Sequence, residues 1–308
     1  RGSYLAMTQP RMTEAALKEA GIAVEIKVVK TIGDKRPDLK LSEFTEKVDG
    51  VHDKGVFTKE LEEALLAGEI DFAVHSLKDV PTELGPDFEI CTALPRAPIT
   101  DVLITREPAQ LDEWMASDRP LTIATSSVRR ARQLLWRFPN VKIVDIRGNV
   151  PTRIQKLHDN PDWDGIILAR AGIQRLGFFE PGKAELNFEG AATYAAEMPA
   201  ELFHPAASQG AVAMEILKSN QRAKSALAKI NDDDTFAQIT AERSFLAALK
   251  AGCQTPVGVN TALIGSTLAI SVVVFDEDKP EAEPRTATVT LPVAEAARAG
   301  EIILKELR

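Results

Sequence analysis

The sequence contains very little cysteine: Cys91 and Cys253 are the only two among 308 residues. Two cysteines so far apart do not indicate a disulfide framework, and they fit a reducing compartment better than a secreted protein. The four histidines are scattered, and no group of cysteines and histidines has the spacing of a zinc site. We therefore predict no disulfide scaffold and no bound metal.

Long apolar runs are also missing. No stretch approaches the roughly 18 uninterrupted apolar residues of a membrane-spanning helix, so we predict no membrane partner. There is no Walker-type phosphate loop, no GxGxxG pattern, no repeat and no low-complexity segment, which disfavours nucleotide and dinucleotide binding. The chain begins at Arg1 without an initiator methionine, so we expect preceding residues in which a targeting peptide would go unseen. We predict a cytoplasmic protein and leave a plastid location open.

The composition is otherwise that of an ordinary globular protein, with 44% apolar and 27% charged residues, and its length predicts two or three domains. The net charge of −8 disfavours a nucleic-acid partner. Between positions 125 and 153, however, seven basic residues stand against the single acid Asp145. This local excess predicts a focused anion site. A solvated helix face with surface arginines is the alternative interpretation.

The first part of the chain predicts helices at 6–20 and 58–67, strands at 24–30 and 71–77, and a long polar loop at 31–54. Lys78 and Asp79 follow the second strand directly. Polar residues at the carboxyl end of a strand in an open α/β sheet are placed where ligands usually bind. From local sequence alone, Asp79 could equally be a turn or cap residue before Pro81.

The middle of the chain predicts a parallel sheet built from βαβ units. The expected strands are 101–105, 121–125, 142–146 and 165–169, and the expected helices are 128–137, 151–158 and 172–176. Two of the strand ends carry groups suited to anions, namely Thr125, Ser126 and Ser127 with Arg129 and Arg130, and then Arg147 with Gly148.

Hydroxyls and free N–H groups at a helix start bind carboxylate or phosphate, and arginine offers a two-point fork to a carboxylate. A glycine lets the backbone come close to a ligand. Simple helix capping by Ser126 or Ser127 is expected in any case.

The last part of the chain predicts a strand at 211–216, an amphipathic helix at 235–250, strands at 257–264, 267–275 and 285–291, and a closing helix at 293–307. Short turns between the last three strands favour an antiparallel sheet in a small α+β domain. The helical run ends at Gly252, and Cys253 follows in a loop stiffened by Pro256, where its thiol can be reached. Cys91, inside a strand-like segment, is interpreted as a small core residue.

Read together, seven segments of the sequence resemble the porphobilinogen deaminase (hydroxymethylbilane synthase) family, in the family's order and almost end to end. They are RGS at 1–3, DKGVFTKELEEALLAGEIDFAVHSLKDVPTE at 53–83, TSSVRRARQL at 125–134, VDIRGNVPTRIQKL at 144–157, IILARAGIQRLG at 166–177, SQGAVAMEI at 208–216 and AGCQTPVG at 251–258. Any one of these segments would be a weak signal, whereas all seven in order are specific.

The resemblance implies an α/β fold of two periplasmic-binding-protein-like domains with a cleft between them, followed by a small α+β domain. The implied boundaries are 1–95 with 207–228 for domain 1, 101–203 for domain 2 and 233–308 for domain 3. The implied reaction joins four porphobilinogen molecules head to tail, releases ammonia and yields the linear tetrapyrrole hydroxymethylbilane. The implied enzyme is a monomer whose partners are porphobilinogen and the growing oligopyrrole.

The resemblance also implies a dipyrromethane cofactor joined by a thioether to Cys253. The carboxyl end of the preceding helix disfavours a thiolate, which suits a single slow alkylation better than rapid turnover. The residues implied to hold the cofactor are Cys253, Lys78, Asp79, Thr125, Ser126, Ser127, Arg129, Arg130, Arg147 and Gly148. Those implied to hold the substrate are Arg1, Ser3, Phe57, Arg147, Arg153, Arg175 and Gln209. Lys54 and Lys59 are further candidates, although Lys59 could equally be an ordinary exposed helix lysine.

Asp79 matches the family's essential carboxylate, which would hold pyrrole N–H groups, help eject ammonia and stabilise the cationic azafulvene left behind. The sequence departs from the family pattern at 47–55, which is longer, at Ala251 in place of a glycine, and at HPAASQG (204–210) in place of LPAPGQG. Two other interpretations stay open: a two-lobed solute-binding or sensing protein without catalysis, and, more distantly, a transferase that uses Cys253 directly.

Overall fold

The structure, a computed structural model, describes residues 4–29, 58–109, 111–115, 118–138, 140–252, 255–279 and 281–308. Of the predicted site residues, Arg1, Ser3, Lys54, Phe57 and Cys253 lie outside these ranges, as does the predicted loop at 31–54. Three separate sheets organise the described residues. Each sheet falls within one of the three predicted domains, whose boundaries stay a prediction.

The first sheet has the strand order β1-β8-β2, and every described pair in it is antiparallel. Its elements are α1 (Tyr4–Glu19), α2 (Lys59–Leu66), β1 (Ala73–Ser76), β2 (Phe88–Ala93), β8 (Val212–Leu217) and α7 (Gln221–Leu227). The strand predicted at 24–30 is not found in its described part, where residues 22–29 belong to no strand. Val24 and Val29 nevertheless pack against the apolar clusters of this unit.

The second sheet has five strands in the order β5-β4-β6-β3-β7. Its elements are β3 (Asp101–Thr105), α3 (Leu111–Met115), β4 (Leu121–Ala124), α4 (Val128–Arg137), β5 (Val141–Val144), α5 (Val150–Asp159), β6 (Gly165–Ala169), α6 (Arg170–Arg175) and β7 (Tyr194–Met198). The predicted strands and helices of this unit are confirmed, with ends that differ by one or two residues. Helices cover both faces of the sheet through two apolar clusters, one around Ile154 and Leu157 and one around Leu134.

The strand directions in this sheet are mixed, which corrects the prediction of a parallel sheet. β4 runs parallel to β5 and β6, as βαβ units require, but β3 is antiparallel to both β6 and β7. The reversal pairs Asp101, the first residue of β3, with Ala169, the last residue of β6. Asp101 therefore lies at the edge where the parallel strands end, which is the edge that carries the predicted anion site.

The third sheet is the predicted antiparallel one, in the order β11-β10-β9. Its elements are α8 (Asp233–Leu249), β9 (Val257–Ile264), β10 (Thr267–Val274), β11 (Arg285–Pro292), a 3₁₀ segment (Val293–Arg298) and α9 (Ala299–Glu306). The predicted closing helix is thus half 3₁₀. The helix before the cysteine ends earlier than predicted, at Leu249, because Lys250 takes the left-handed conformation (φ 54°) and caps it.

Helix α8 joins the third unit to the first. One face of α8 contributes Phe245 and Ala241 to the core of the third unit, while Ile239 and Phe236 pack with Leu77 of the first unit. Where the structure describes the chain, it contains no helix long and apolar enough to cross a membrane and no cluster of side chains arranged to hold a metal ion. The fold is α/β with a small α+β unit at the carboxyl end.

Candidate active site

Lys78 and Asp79 lie in a 3₁₀ turn, Leu77–Asp79, at the end of β1. The residues on either side of the pair, Leu77 and Val80, are buried in an apolar cluster, and this leaves the two charged side chains exposed. The Asp79 carboxylate forms no hydrogen bond or ion pair with another residue of the described ranges. It is therefore a fixed anion that is available to a ligand.

Lys78 is exposed to water, yet desolvation by the surrounding protein lowers the pKa of its ammonium, with Asp79 opposing the shift and Arg130 adding to it. Both properties hold together when a side chain lines a deep cleft, where water reaches it but protein surrounds it on most sides. Its Nζ lies 3.4 Å from Oε1 of the buried Gln209. Lys78 thus links the end of β1 to the segment that precedes β8.

Asp101 is the centre of the charged cluster. Its side chain is fully buried and accepts hydrogen bonds from Arg129 Nη2 (2.7 Å), Arg130 Nη2 (2.6 Å) and Gln209 Nε2 (3.0 Å). Burial alone would raise the pKa of Asp101, but the two guanidinium groups hold it well below its usual range. Asp101 is therefore a permanent anion that fixes side chains from both sides of the cleft.

Arg129 and Arg130, predicted to bind ligand carboxylates, form several hydrogen bonds within the protein. Besides Asp101, Arg129 Nη1 donates to the carbonyl oxygen of His204 (2.6 Å) and Arg130 Nη1 to that of Ile167 (2.9 Å). Burial lowers the pKa of Arg129, and Asp101 opposes this shift. Binding of a cofactor by Arg129 and Arg130 stays a prediction; together the two guanidinium groups carry one more positive charge than Asp101 balances.

The three hydroxyls before α4 also have internal partners. Ser127 is the N-cap, and its Oγ accepts from the Arg130 amide at 3.4 Å, which is the capping role expected of it. Ser126 Oγ donates to the Ile146 carbonyl and accepts from the Ile146 amide, so it ties the end of β4 to the end of β5. Thr125 Oγ1 accepts from the Ser127 amide. Contact of these three residues with a cofactor stays a prediction.

Arg147 and Arg153 form the less occupied part of the cluster. Arg153 Nε donates to the Gly148 carbonyl at 2.7 Å, whereas the Arg147 guanidinium donates to no described residue. Burial lowers the pKa of Arg153 to about 10; the charges of Arg130 and Arg147 add to this shift, and Asp79 opposes it. These charges are thus close enough to act on one another across the cleft.

Gly148 is required by the local backbone, and its contact with a cofactor stays a prediction. Its φ is +119°, and a Cβ built on it would lie 2.7 Å from Thr152 Cγ2. Asn149 then caps α5 by accepting from the Thr152 amide. The glycine therefore permits the sharp turn that starts α5 and points Arg153 back at the strand end.

Gln209 and Arg175 meet at the turn before β8. Arg175 Nη2 donates to the Gly210 carbonyl at 2.6 Å, and burial lowers the pKa of Arg175. Gly210 has φ +84°, and a side chain there would collide with the Ala97 carbonyl of the crossover between the first two units. The turn therefore brings Gln209 against Asp101 while keeping the crossovers in contact.

The cluster as a whole suits a ligand with several carboxylates. The predicted site residues of this region, with Asp101, include six cations and two anions. The cations are Lys78, Arg129, Arg130, Arg147, Arg153 and Arg175, and the anions are Asp79 and Asp101. The buried Nε atoms of Arg130 and Arg175 have no partner in the described chain. Such donors fit an acid-rich oligopyrrole. Lys59, by contrast, is an exposed helix lysine 4.0 Å from Glu63.

Asp101 is the functional residue that sequence reasoning missed. Its position at the start of a strand placed it, for a parallel sheet, at the edge away from the ligand. One signal was available: an aspartate inside an apolar strand that directly follows the proline-rich crossover. Charged residues are rarely buried without partners, so a buried aspartate predicts arginines nearby.

Comparison with known proteins gives matches over nearly the whole chain. Two family models match: "Porphobilinogen deaminase, dipyromethane cofactor binding domain" over residues 1–225 and "Porphobilinogen deaminase, C-terminal domain" over residues 236–308. A porphobilinogen deaminase of Syntrophomonas wolfei is 41% identical over 302 residues, covering 96% of this chain and 90% of the relative. That of Rubrobacter xylanophilus is 37% identical, covering 90% and 83%.

Solved structures give weaker matches. The VFT2 domain of Bordetella pertussis BvgS is 16% identical, with a TM-score of 0.39, and covers 76% of this chain and 82% of its own. An amino acid transporter substrate-binding protein of Streptococcus pneumoniae bound to L-arginine is 13% identical, with a TM-score of 0.34, and covers 72% and 75%. These scores add nothing to the description of the site. On the family models and its sequence relatives, the chain belongs to the porphobilinogen deaminase family.

Proposed function

We propose that this protein is a hydroxymethylbilane synthase, a transferase that joins four porphobilinogen molecules with release of ammonia. The observation that supports this most strongly is the arrangement of one unpaired carboxylate, Asp79, within electrostatic reach of an excess of arginines. Each porphobilinogen ring carries two carboxylates, so a growing chain needs several fixed cations. The relatives named for this activity share the chain over nearly its whole length.

The described residues fit a dipyrromethane group held by Cys253. Partner-free Nε atoms of Arg130 and Arg175 and the unoccupied guanidinium of Arg147 offer donors for its acidic side chains. When bound, the group supplies the free ring carbon to which the first substrate is joined. Gly252 and Thr255, on either side of the cysteine, are held to each other by two hydrogen bonds.

Asp79 acts on the incoming substrate. In our proposal its carboxylate accepts hydrogen bonds from the pyrrole N–H and the protonated aminomethyl group. The carbon–nitrogen bond breaks, ammonia leaves with the bonding electron pair, and Asp79 stabilises the cationic azafulvene that remains. The bound group would supply the ring carbon that joins the cation in a new carbon–carbon bond, and the proton displaced from that carbon would pass to the released ammonia. A fixed anion in a cleft stabilises developing positive charge without having to reorganise.

The arginines act on the carboxylates of the chain rather than at the reacting carbon. Arg129 and Arg130 are held by Asp101 and provide a fixed positive wall, and Arg147 and Arg153 provide less constrained contacts beside it. Substrate contacts of Arg175 and Gln209, and of Arg1, Ser3 and Phe57, belong to the same proposal. We further propose a cytoplasmic monomer.

An assay of porphobilinogen consumption together with an intact-protein mass tests the proposal. The purified protein should consume porphobilinogen, release ammonia and carry a mass excess equal to two pyrrole units. Cys253→Ser should lose that excess, whereas Cys91→Ser, which alters a half-buried thiol in β2, should keep it. An unmodified mass in protein that binds porphobilinogen without consuming it would support the solute-binding alternative instead.

A further inference from the structure

We propose that Arg243 is a positioning residue that sets the place of Asp79 relative to the cysteine-bearing loop. This inference rests on the proposed function, in which Asp79 acts on the substrate and Cys253 anchors the cofactor. Arg243 lies on α8, the helix that runs toward that loop. Within the described residues, its hydrogen bonds reach neither a predicted substrate contact nor the arginine cluster around Asp101.

The contacts of Arg243 are made to the backbone immediately after Asp79. Its Nη2 donates to the carbonyl oxygens of Pro81 (2.7 Å) and Thr82 (2.9 Å), and its Nη1 lies 3.4 Å from that of Val80. Three consecutive carbonyls are thus collected by one planar guanidinium. Lysine cannot reproduce such a fork, because its ammonium is a compact point charge.

Apolar packing brings the helix to this segment, and Arg243 fixes the register. Phe236, Ile239 and Arg243 are spaced three and four residues apart and therefore share one face of α8. Ile239 and Phe236 pack with Leu77 and Val80, on either side of Lys78 and Asp79. The same helix thus holds the turn of Asp79 in two ways: by apolar contacts with Leu77 and Val80, and by the hydrogen bonds of Arg243 to the carbonyls that follow Asp79.

The other end of the helix leads to the cysteine loop. Lys250 caps α8, and the Ala251 amide donates to the Leu246 carbonyl. Hydrogen bonds to the helix therefore fix the backbone as far as Ala251. Lys250 follows Arg243 by seven positions, which is roughly 10 Å along a helix axis. Arg243 therefore fixes where the turn of Asp79 lies relative to the end of α8, from which the cysteine-bearing loop begins.

The Arg243 side chain is half-buried, and its hydrogen bonds to successive carbonyls define its position. Burial lowers its pKa, and the charge of Glu215 on β8 opposes that shift. Glu215 is itself fully buried and accepts from or donates to His75 of β1 at 2.8 Å. The arginine is thus compensated by a carboxylate of the first unit, on the same sheet that carries the turn of Asp79.

The test compares Arg243→Met and Arg243→Lys with Arg106→Met. Arg106 is a matched control because it also donates to backbone carbonyls, those of Leu157, Asn160, Pro161 and Trp163, but on the far side of the second unit. Displacing a reacting group by about 1 Å costs on the order of 100-fold in rate. We expect kcat to fall between 10-fold and 100-fold in Arg243→Met, KM for porphobilinogen to change less than threefold, and Arg243→Lys to recover part of kcat.

Two further measurements separate positioning from simple loss of structure. The intact mass of Arg243→Met should still show the cofactor, and its hydrogen exchange should rise in the segment 77–84 while that segment is unchanged in Arg106→Met. A normal kcat in Arg243→Met, or an equal loss of kcat in Arg106→Met, would overturn the inference. If the unmodified protein does not consume porphobilinogen, the proposed function fails first. If the unmodified protein does consume porphobilinogen and the Arg243 variants have the same kcat, the inference fails and the proposed function stands.

Discussion

The two sides of the cleft differ in how their charges are balanced. On the side of the second unit, Arg129 and Arg130 are buried and share one carboxylate, Asp101. On the side of the first unit, Asp79 is exposed and has no partner among the described residues. One side is therefore prepared in advance to hold negative charge, and the other is left free to meet positive charge. This division of roles is what the proposed chemistry requires.

Removing the free carboxylate should have the largest effect. We expect Asp79→Ala to lower product formation by about 10²–10⁴-fold, because the group that stabilises the cation and assists the departure of ammonia is lost. The cofactor mass excess should remain. Asp87→Ala, which removes an exposed aspartate on the loop before β2, is the control and should leave kcat unchanged. Near-normal turnover in Asp79→Ala would remove this residue from its role.

Removing the buried carboxylate should act first on stability. Asp101→Asn leaves two buried arginines without compensation, and breaking a buried ion pair costs about 3–5 kcal/mol. Urea unfolding should show this loss. Asp71→Asn breaks only the exposed pair with Arg222 and should change stability by less than about 1 kcal/mol. Equal free energies of unfolding in the two variants would show that Asp101 does not stabilise the buried Arg129 and Arg130.

His204, whose carbonyl oxygen accepts from Arg129, makes the stability of this region depend on pH. Burial, with Arg137 and Arg129 adding to it, lowers its pKa from 6.5 to about 4. Between pH 4 and 6.5, His204 is protonated in the unfolded chain but neutral in the folded chain. The contribution of neutral His204 to the free energy of unfolding is therefore complete above pH 6.5 and is lost as the pH falls toward 4. The full loss is about 3 kcal/mol. We expect His204→Leu to flatten unfolding stability across that range; an unchanged slope would contradict the assignment.

The less constrained arginines should give the smallest effect. Arg147→Met removes a cation that has no described partner, so we expect KM for porphobilinogen to rise about tenfold with little loss of stability. Arg132→Met is the matched control, since its Nη2 donates to the carbonyls of Asp276 and Glu277 in the third unit. If both variants raised KM equally, the effect would reflect general charge and not contact with the substrate.

Much of the fold could be predicted from sequence because its signals are local. Strands such as Asp101–Thr105 and Gly165–Ala169 are short apolar runs, and the residues of α4 begin directly after a serine cap. Strand direction could not be read in this way. It depends on which neighbour a strand meets after a crossover, and the antiparallel placement of β3 is what moves Asp101 to the ligand edge.

The sequence predicted which residues form the site better than it predicted the hydrogen bonds that they make. The resemblance to the family named Lys78, Asp79 and the arginines, and the structure brings the described ones together. The resemblance could not show that the terminal nitrogens of Arg129 and Arg130 donate to Asp101 and to backbone carbonyls, because those partners are distant in sequence. The same reason hid Arg243, whose carbonyl partners lie more than 160 residues away.

The most direct test of the account is the intact mass of the cofactor-bearing protein after addition of a few equivalents of porphobilinogen. We predict discrete added masses, each equal to one porphobilinogen less one ammonia, and their absence in Asp79→Ala. A mass that does not change while porphobilinogen binds, or added masses that persist in Asp79→Ala, would contradict the division of roles between the free carboxylate and the arginine wall.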